Sequence, residues 1–407
     1  MTLLNKTLLI VSCLIKGEMI MASCQVKKLN VQHFRLFILL VIITLFVLTS
    51  SAQAKGKYYP GELVDIGTHR LHINCIGTGS PTVIIDSGIG GFSLEWIKIQ
   101  TSLADNLKVC SYDRAGYGWS DPGPRPRTTA RISNELRLLL TASNIPGPYV
   151  LVGHSFGGYN TRYFASKYPG LTAGLILVDS SHPEQFNTEE FKRVEKTQDE
   201  KAYKNSYKVR IIHPTISDSY PAENKRIALR LMSSMKSRST LLNEMDNMEI
   251  SAKQVAKQTN HPPYIFPVTI LTRGKRVWAN NELGERREQQ WLRLQNDLEN
   301  ISMQSKHYLA EESGHIIHLD QPDIVSRNIM ATVLKIRSQF FEDNMRKKFD
   351  IRLTESINAP SFEESHSSQA YNATIFNNSS LRQNPISLVM FQTKFEYPDF
   401  NSSSYLR

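Results

Sequence analysis

The chain has 407 residues, of which 41% are hydrophobic and 21% charged, with a net charge of +10. That length and apolar fraction suffice for a large buried core and exclude a wholly disordered chain. The charge is spread, no basic and aromatic interleaving marks a nucleic-acid surface, and no Cys-x-x-Cys or His-Glu-x-x-His spacing marks a metal, so no nucleic acid and no cofactor is implied.

Residues 1–54 read as a targeting segment. Residues 36–48 are apolar apart from Thr44, follow Lys27, Lys28 and Arg35, and precede Ala52-Gln53-Ala54. A basic region, a short apolar run and an Ala-x-Ala site describe a secretory signal peptide cleaved after Ala54. The run is short of the roughly 20 residues of a membrane span. A retained signal anchor, which would give membrane association, is the alternative, and Met21 would supply a leader of more ordinary length. Removal of residues 1–54 takes away five basic residues against Glu18 and leaves +6 of the +10.

From residue 55 onward, short β-branched runs alternate with helical patterns, as in a mostly parallel sheet covered on both faces. Strands are expected over 71–76 and 83–86, the second running into the Gly-rich turn Ser87-Gly88-Ile89-Gly90-Gly91, where a backbone N–H can approach a ligand without obstruction. That turn lacks the Lys-Ser/Thr of a phosphate-binding loop. A strand over 107–112 leads into Asp113-Arg114-Ala115-Gly116-Tyr117-Gly118-Trp119-Ser120-Asp121-Pro122, a turn-rich loop in which Asp113 and Arg114 read as a structural pair.

The run Tyr149-Val150-Leu151-Val152 precedes Gly153-His154-Ser155-Phe156-Gly157 and a helical pattern over 158–168. Strand, tight turn and helix are the context of a nucleophile elbow, with glycines where side chains would clash and Ser155 exposed at the bend. A strand over 174–178 ends on Asp179. Residues 181–266 follow, with apolar positions three or four apart in 227–232 and 241–245, and read as a helical cap. A strand over 267–272 runs into a loop reaching Glu282. About 160 residues after Ser155, Ser313-Gly314-His315 lies on a Gly-containing loop before a helix expected over 322–348. A serine hydroxyl needs a base within hydrogen-bond reach. His315 is the candidate, and His318 is the rival in the same segment, read as packing or bonding locally. Residues 349–407, rich in Ser and Asn, read as a disordered tail in which 386–391 could form a short strand or binding segment. Glycosylation sequons begin at Asn300, Asn372, Asn377, Asn378 and Asn401.

Four blocks, the Val83-to-Gly91 turn, the Tyr112-to-Pro122 loop, the elbow, and Ser313-Gly314-His315 with Asp320-Gln321-Pro322, resemble the alpha/beta-hydrolase superfamily in their order and spacing over about 61–339. The resemblance implies an α/β fold with a mostly parallel eight-stranded sheet flanked by helices and a helical cap, the core falling into 55–180 and 267–348. It implies that Ile89 and Phe156 backbone N–H groups bind an oxyanion, although Ser87-Gly88 stands where many relatives have His-Gly. It places the acid that orients His315 either at Asp179, which is preferred, or at Glu282. It makes the strands of Cys75 and Cys110 neighbours, leaving a disulfide or two buried thiols open. The expectation is a secreted or lumenal serine hydrolase of carboxylic esters, with a small-molecule ester or lipid as substrate and no metal. Amide or peptide cleavage of the aminopeptidase type, and a catalytically silent binding protein, are the alternatives.

Overall fold

In this computed structural model, residues 60–186, 220, 222–259 and 263–357 are described. The expected leader (1–54), the cap residues 187–219 and the tail beyond 357 lie outside them. The central β-branched runs become strands of one sheet because they bury their side chains on both faces, while the edge strands stay largely exposed. The strands are β1 (Glu62–Asp65), β2 (Arg70–Ile76), β3 (Val83–Asp86), β4 (Val109–Tyr112), β5 (Tyr149–His154), β6 (Thr172–Val178), β7 (Val268–Arg273) and β8 (Ser305–Ala310). Their order is β1-β2-β4-β3-β5-β6-β7-β8. β2 runs antiparallel to β1 and β4, and the other pairings are parallel.

Strand periodicity sorts the core into two layers. Ile84, Leu151, Leu175, Leu177 and Ile270 face one side, where Leu136 and Leu139 of α2 (Thr129–Ala142) and Phe164 of α3 (Phe156–Lys167) cover them. Val83, Ile85, Val150, Val152, Ile176 and Val178 face the other. There α1 (Ile97–Leu103) contributes Ile99, and the C-terminal helix contributes Val325, Ile329 and Val333. Each such side chain stabilises the fold by roughly 1.5–3 kcal/mol relative to exposure. Cys75 and Cys110, opposite each other in the β2–β4 register, are joined in a disulfide.

Three helices lie within residues 222–259: α4 (Ala222–Met232), α5 (Met235–Asp246) and α6 (Met248–Thr259). Their apolar positions pack on the core. Ala252 and Val255 of α6 meet Ile132, Phe156, Tyr159 and Tyr163, and Ala228 of α4 joins Phe92, Leu94, Tyr117 and Leu319. α7 (Glu282–Asp297) starts at Asn281, whose side chain accepts from Gly284 N–H at 2.8 Å, an N-cap that satisfies an orphan donor. α8 (Ile317–Asp320) leads into α9 (Pro322–Ile357), which starts on a proline as helices favour. α9 runs nine residues past Lys348, so the stretch assigned to the tail begins as helix.

Candidate active site

Ser155 occupies the one-residue bend between β5 and α3 with φ 49° and ψ −119°. Positive φ is strained for a residue with a Cβ, and it persists because both flanks are held by the sheet and the helix. The glycines beside it are sterically required. A Cβ at Gly153 would stand 2.4 Å from Thr161 Oγ1, and one at Gly157 2.2 Å from the Asp86 carbonyl oxygen. Phe156 is the first residue of α3, where backbone N–H groups have no partner within the helix.

The turn after β3 lies against this bend. A Cβ built on Gly88 would meet Ser155 Cβ at 3.2 Å and His154 Nδ1 at 2.7 Å. Trp96 Nε1–H donates to Ser87 Oγ at 2.9 Å, and Gly91 N–H donates to Gly88 O at 3.0 Å. A side chain from the cap reaches the same turn, since a Cβ at Gly90 would stand 2.8 Å from Leu241 Cδ1.

Asp179 directly follows β6, also at positive φ (39°), and is fully buried. Its Oδ2 lies 2.6 Å from His315 Nδ1. Its Oδ1 accepts from Trp291 Nε1–H at 3.0 Å, and Arg273 Nη1 donates to Oδ2 at 3.0 Å. Burial alone would raise the Asp179 carboxyl. The His315 hydrogen bond and the charges of His315 and Arg273 outweigh it, and hold the group below the usual carboxylate range. Arg273 itself lies against two aromatic rings, its guanidinium carbon 4.7 Å from the Trp278 ring and 5.0 Å from the Trp291 ring. The His315 side chain is 36% exposed, so one ring edge is anchored in the interior while the ring remains reachable from outside.

Glu282 does not join this group. It stands at the start of α7 with its side chain 88% exposed, paired with Arg286. Of the two candidate acids, Asp179 is the one brought to His315. His318 is buried, stacked on Trp96 with ring centroids 4.1 Å apart, and burial pushes it down to about 3. Its Nε2 lies 3.6 Å from Glu95 Oε2. Burial also pushes Glu95 up to about 8, so near neutral pH this contact joins two uncharged groups and is no ion pair.

Asp113 and Arg114 do not pair with each other, as the sequence reading supposed. The Asp113 carboxylate accepts from Ser93 N–H at 2.7 Å and Trp119 N–H at 2.8 Å and meets His72 Nδ1 at 2.9 Å. Arg114 turns the other way, to Asp86 and to Glu244 of α5. Neighbouring backbones at a strand end aim successive side chains to opposite faces, which separates the two.

Two contributors are absent from the sequence reading. His154 precedes Ser155, and its Nε2 lies 2.9 Å from the His315 carbonyl. A carbonyl only accepts, so Nε2 carries the proton. Trp291, the donor to Asp179, has no motif around it. Among the described residues no group of His, Cys, Asp and Glu could hold a metal ion, and no helix is long and apolar enough to cross a membrane. A cavity of about 930 Å³ is lined by Arg162, His182, Tyr264, Asp297 and Phe340 among others, not by Ser155, Asp179 or His315. Its size therefore carries no information on the space at Ser155.

Residues 81–213 match the family described as alpha/beta hydrolase fold. A probable transporter, efuK of Hormonema carpetanum, is 33% identical over 127 residues, which make up 29% of this chain and 18% of that one. The chain thus spans under a fifth of that relative. An AB hydrolase superfamily protein of Gibberella zeae is 22% identical over 293 residues, 63% of this chain and 87% of the relative. Among solved structures, the epoxide hydrolase CorEH superposes with a TM-score of 0.51 at 18% identity, covering 68% of this chain and 98% of that one.

Proposed function

We propose that this chain, whose residues 81–213 match the alpha/beta hydrolase fold family, is a hydrolase that cleaves carboxylic esters, lipid esters included, through an acyl-enzyme on Ser155. The observation that supports this most is the 2.6 Å contact of His315 Nδ1 with buried Asp179, on a loop bonded to the residue before Ser155. An Asp at the elbow would support the alkyl-ester chemistry of dehalogenases and epoxide hydrolases. Serine with a histidine base supports acyl transfer instead.

In the proposed reaction His315 Nε2 takes the Ser155 hydroxyl proton as Oγ attacks the acyl carbon, while Asp179 stabilises the imidazolium and keeps Nδ1 protonated. The oxyanion of the tetrahedral intermediate accepts from Ile89 and Phe156 backbone N–H groups. Removing one such donor typically costs about 100- to 1000-fold in rate. As the intermediate collapses, the C–O bond to the leaving alkoxide breaks and His315 returns its proton to that oxygen. Water, deprotonated by His315, then releases the acid and restores Ser155.

The test is labelling of the purified chain with a fluorophosphonate, comparing wild type with Ser155→Ala, Asp179→Asn and Glu282→Gln. Labelling lost in Ser155→Ala, weakened in Asp179→Asn and retained in Glu282→Gln is expected. A folded wild type that does not label would overturn the serine-hydrolase reading.

We further propose that the protein enters the secretory pathway. Support comes from the apolar run and Ala-x-Ala site before residue 55, the Cys75–Cys110 disulfide, and the exposure of Asn300 in its sequon. Expression in secretory cells should give a product that gains mobility on endoglycosidase treatment. An unglycosylated product with free Cys75 and Cys110 thiols in those cells would contradict the placement.

A further inference from the structure

A guanidinium carries five N–H groups, and in Arg114 all five are engaged in the interior. Nη1 donates to Asp86 Oδ1 at 2.8 Å and to the Ser87 carbonyl at 2.5 Å. Nη2 donates to the Gly88 carbonyl at 2.9 Å and to Glu244 Oε2 at 2.9 Å, and Nε donates to Glu244 Oε1 at 2.9 Å. Two of the five bonds therefore hold the turn after β3, and two hold one carboxylate of the cap helix α5. Tyr117 Oη–H donates to the same carboxylate at 2.9 Å. Arg114 and Glu244 are buried, their side chains 1% and 0% exposed.

The Gly88 carbonyl belongs to the same planar peptide unit as the Ile89 N–H. That bond is trans, so its N–H points opposite to its C=O. Anchoring Gly88 O on Arg114 therefore aims the Ile89 N–H away from Arg114, in a turn that touches Ser155. If the peptide rolled, the donor would turn with it. Two carboxylates hold the buried guanidinium, Asp86 of the core on Nη1 and Glu244 of the cap on Nε and Nη2, so the bidentate grip of Glu244 helps set where Arg114 sits.

On the serine-hydrolase reading, on which the idea rests, we propose that Glu244 is a positioning residue for the oxyanion hole: docking of the cap through Glu244 sets Arg114, and Arg114 sets the Ile89 donor. The cap helix α5 then does more than pack on the core. A cap displaced from the core withdraws one carboxylate from Arg114 and loosens the donor, so closure over a substrate and completion of the hole happen together.

The test compares wild type with Glu244→Gln, whose amide places a donor against Arg114, and with the milder Tyr117→Phe, which removes one bond to Glu244. Activity on a p-nitrophenyl ester is normalised to fluorophosphonate-titratable sites, which removes any loss through misfolding. The expected result for Glu244→Gln is a kcat about 10- to 100-fold lower with KM within about threefold, since the interaction matters most when charge develops. Affinity for a trifluoromethyl ketone, which forms an oxyanion on the serine, should fall by the factor seen in kcat. Tyr117→Phe should show a smaller effect of the same kind. Hydrogen exchange of residues 88–91 should quicken in Glu244→Gln. Unchanged kcat per titrated site and unchanged exchange in that turn would overturn the proposal. If the folded wild type proves unreactive toward the fluorophosphonate, the hydrolase reading fails by itself. The exchange measurement then still decides the link from Glu244 to the turn.

Discussion

Nε2 of His154 donates to the main-chain carbonyl of His315 at 2.9 Å, so the residue before the candidate nucleophile holds the loop of the candidate base. The rings lie 4.8 Å apart. β5 and the loop after β8 sit at separated places in the sheet, and this bond spans them. Replacing His154 by Phe keeps most of the buried volume and removes the donor. We expect kcat on a p-nitrophenyl ester to fall about tenfold, the scale of a lost buried hydrogen bond, with KM little changed. A fluorophosphonate labelling rate equal to wild type would show that the loop needs no such tie.

Asp179→Asn should lower kcat by about four powers of ten, because an amide can hold His315 in the wrong tautomer. Trp291→Phe removes one donor to Asp179 and leaves the carboxylate charged. Its effect should be near tenfold, matching a bond to a charged group worth about 1.5–3 kcal/mol less the part solvent restores. The measurement is kcat against pH for both variants. In Trp291→Phe the profile should keep its shape, and its kcat should stay far above that of Asp179→Asn at every pH. Equal losses in the two would contradict this division of labour.

Burial lowers four histidines: His318 to about 3, His182 to about 4 with Arg162 adding to the effect, His154 well below its ordinary value, and His69. Their folded-state values lie below the unfolded value near 6.5, so as pH falls through 6.5 the unfolded chain takes up protons that the folded one refuses. Their stabilising contribution is complete above pH 6.5 and is lost as pH falls, for His318 and His182 down to pH 3–4. Glu95, raised to about 8, acts with the opposite sign and lowers stability as pH climbs from the ordinary glutamate range to 8. Urea denaturation from pH 7 to 4.5 should show a steep acid loss, shallower in His318→Phe. An identical slope in that variant would mean His318 takes a proton in the folded state.

Gly157→Ala should cripple folding rather than catalysis alone. The new methyl would stand 2.2 Å from Asp86 O and 2.7 Å from Ser87 O, both backbone atoms that cannot swing aside. The strain exceeds the usual overpacking cost of about 1–3 kcal/mol. Thermal melting should show a large drop in Tm or no cooperative transition. Gly170→Ala, where a Cβ meets nothing within 4 Å, is the control and should melt like wild type.

Ser155 and the strands around it were legible in the sequence because they answer to local rules. Tyr149 to Val152 must be extended to bury β-branched side chains on both faces, and Gly153 and Gly157 must lack a Cβ for the chain to turn at Ser155. Such constraints act between residues a few positions apart, and one sequence displays them. The tie of His315 to Asp179 rather than Glu282, the separate partners of Asp113 and Arg114, and the reach of Glu244 to Arg114 all join residues distant in the chain. Those pairings follow from strand order, from the direction each strand end aims its side chain, and from where α5 docks. The tertiary structure alone decided them, because burial removes water as a competing partner and leaves each charged or polar group only the neighbours that packing brings within about 3 Å.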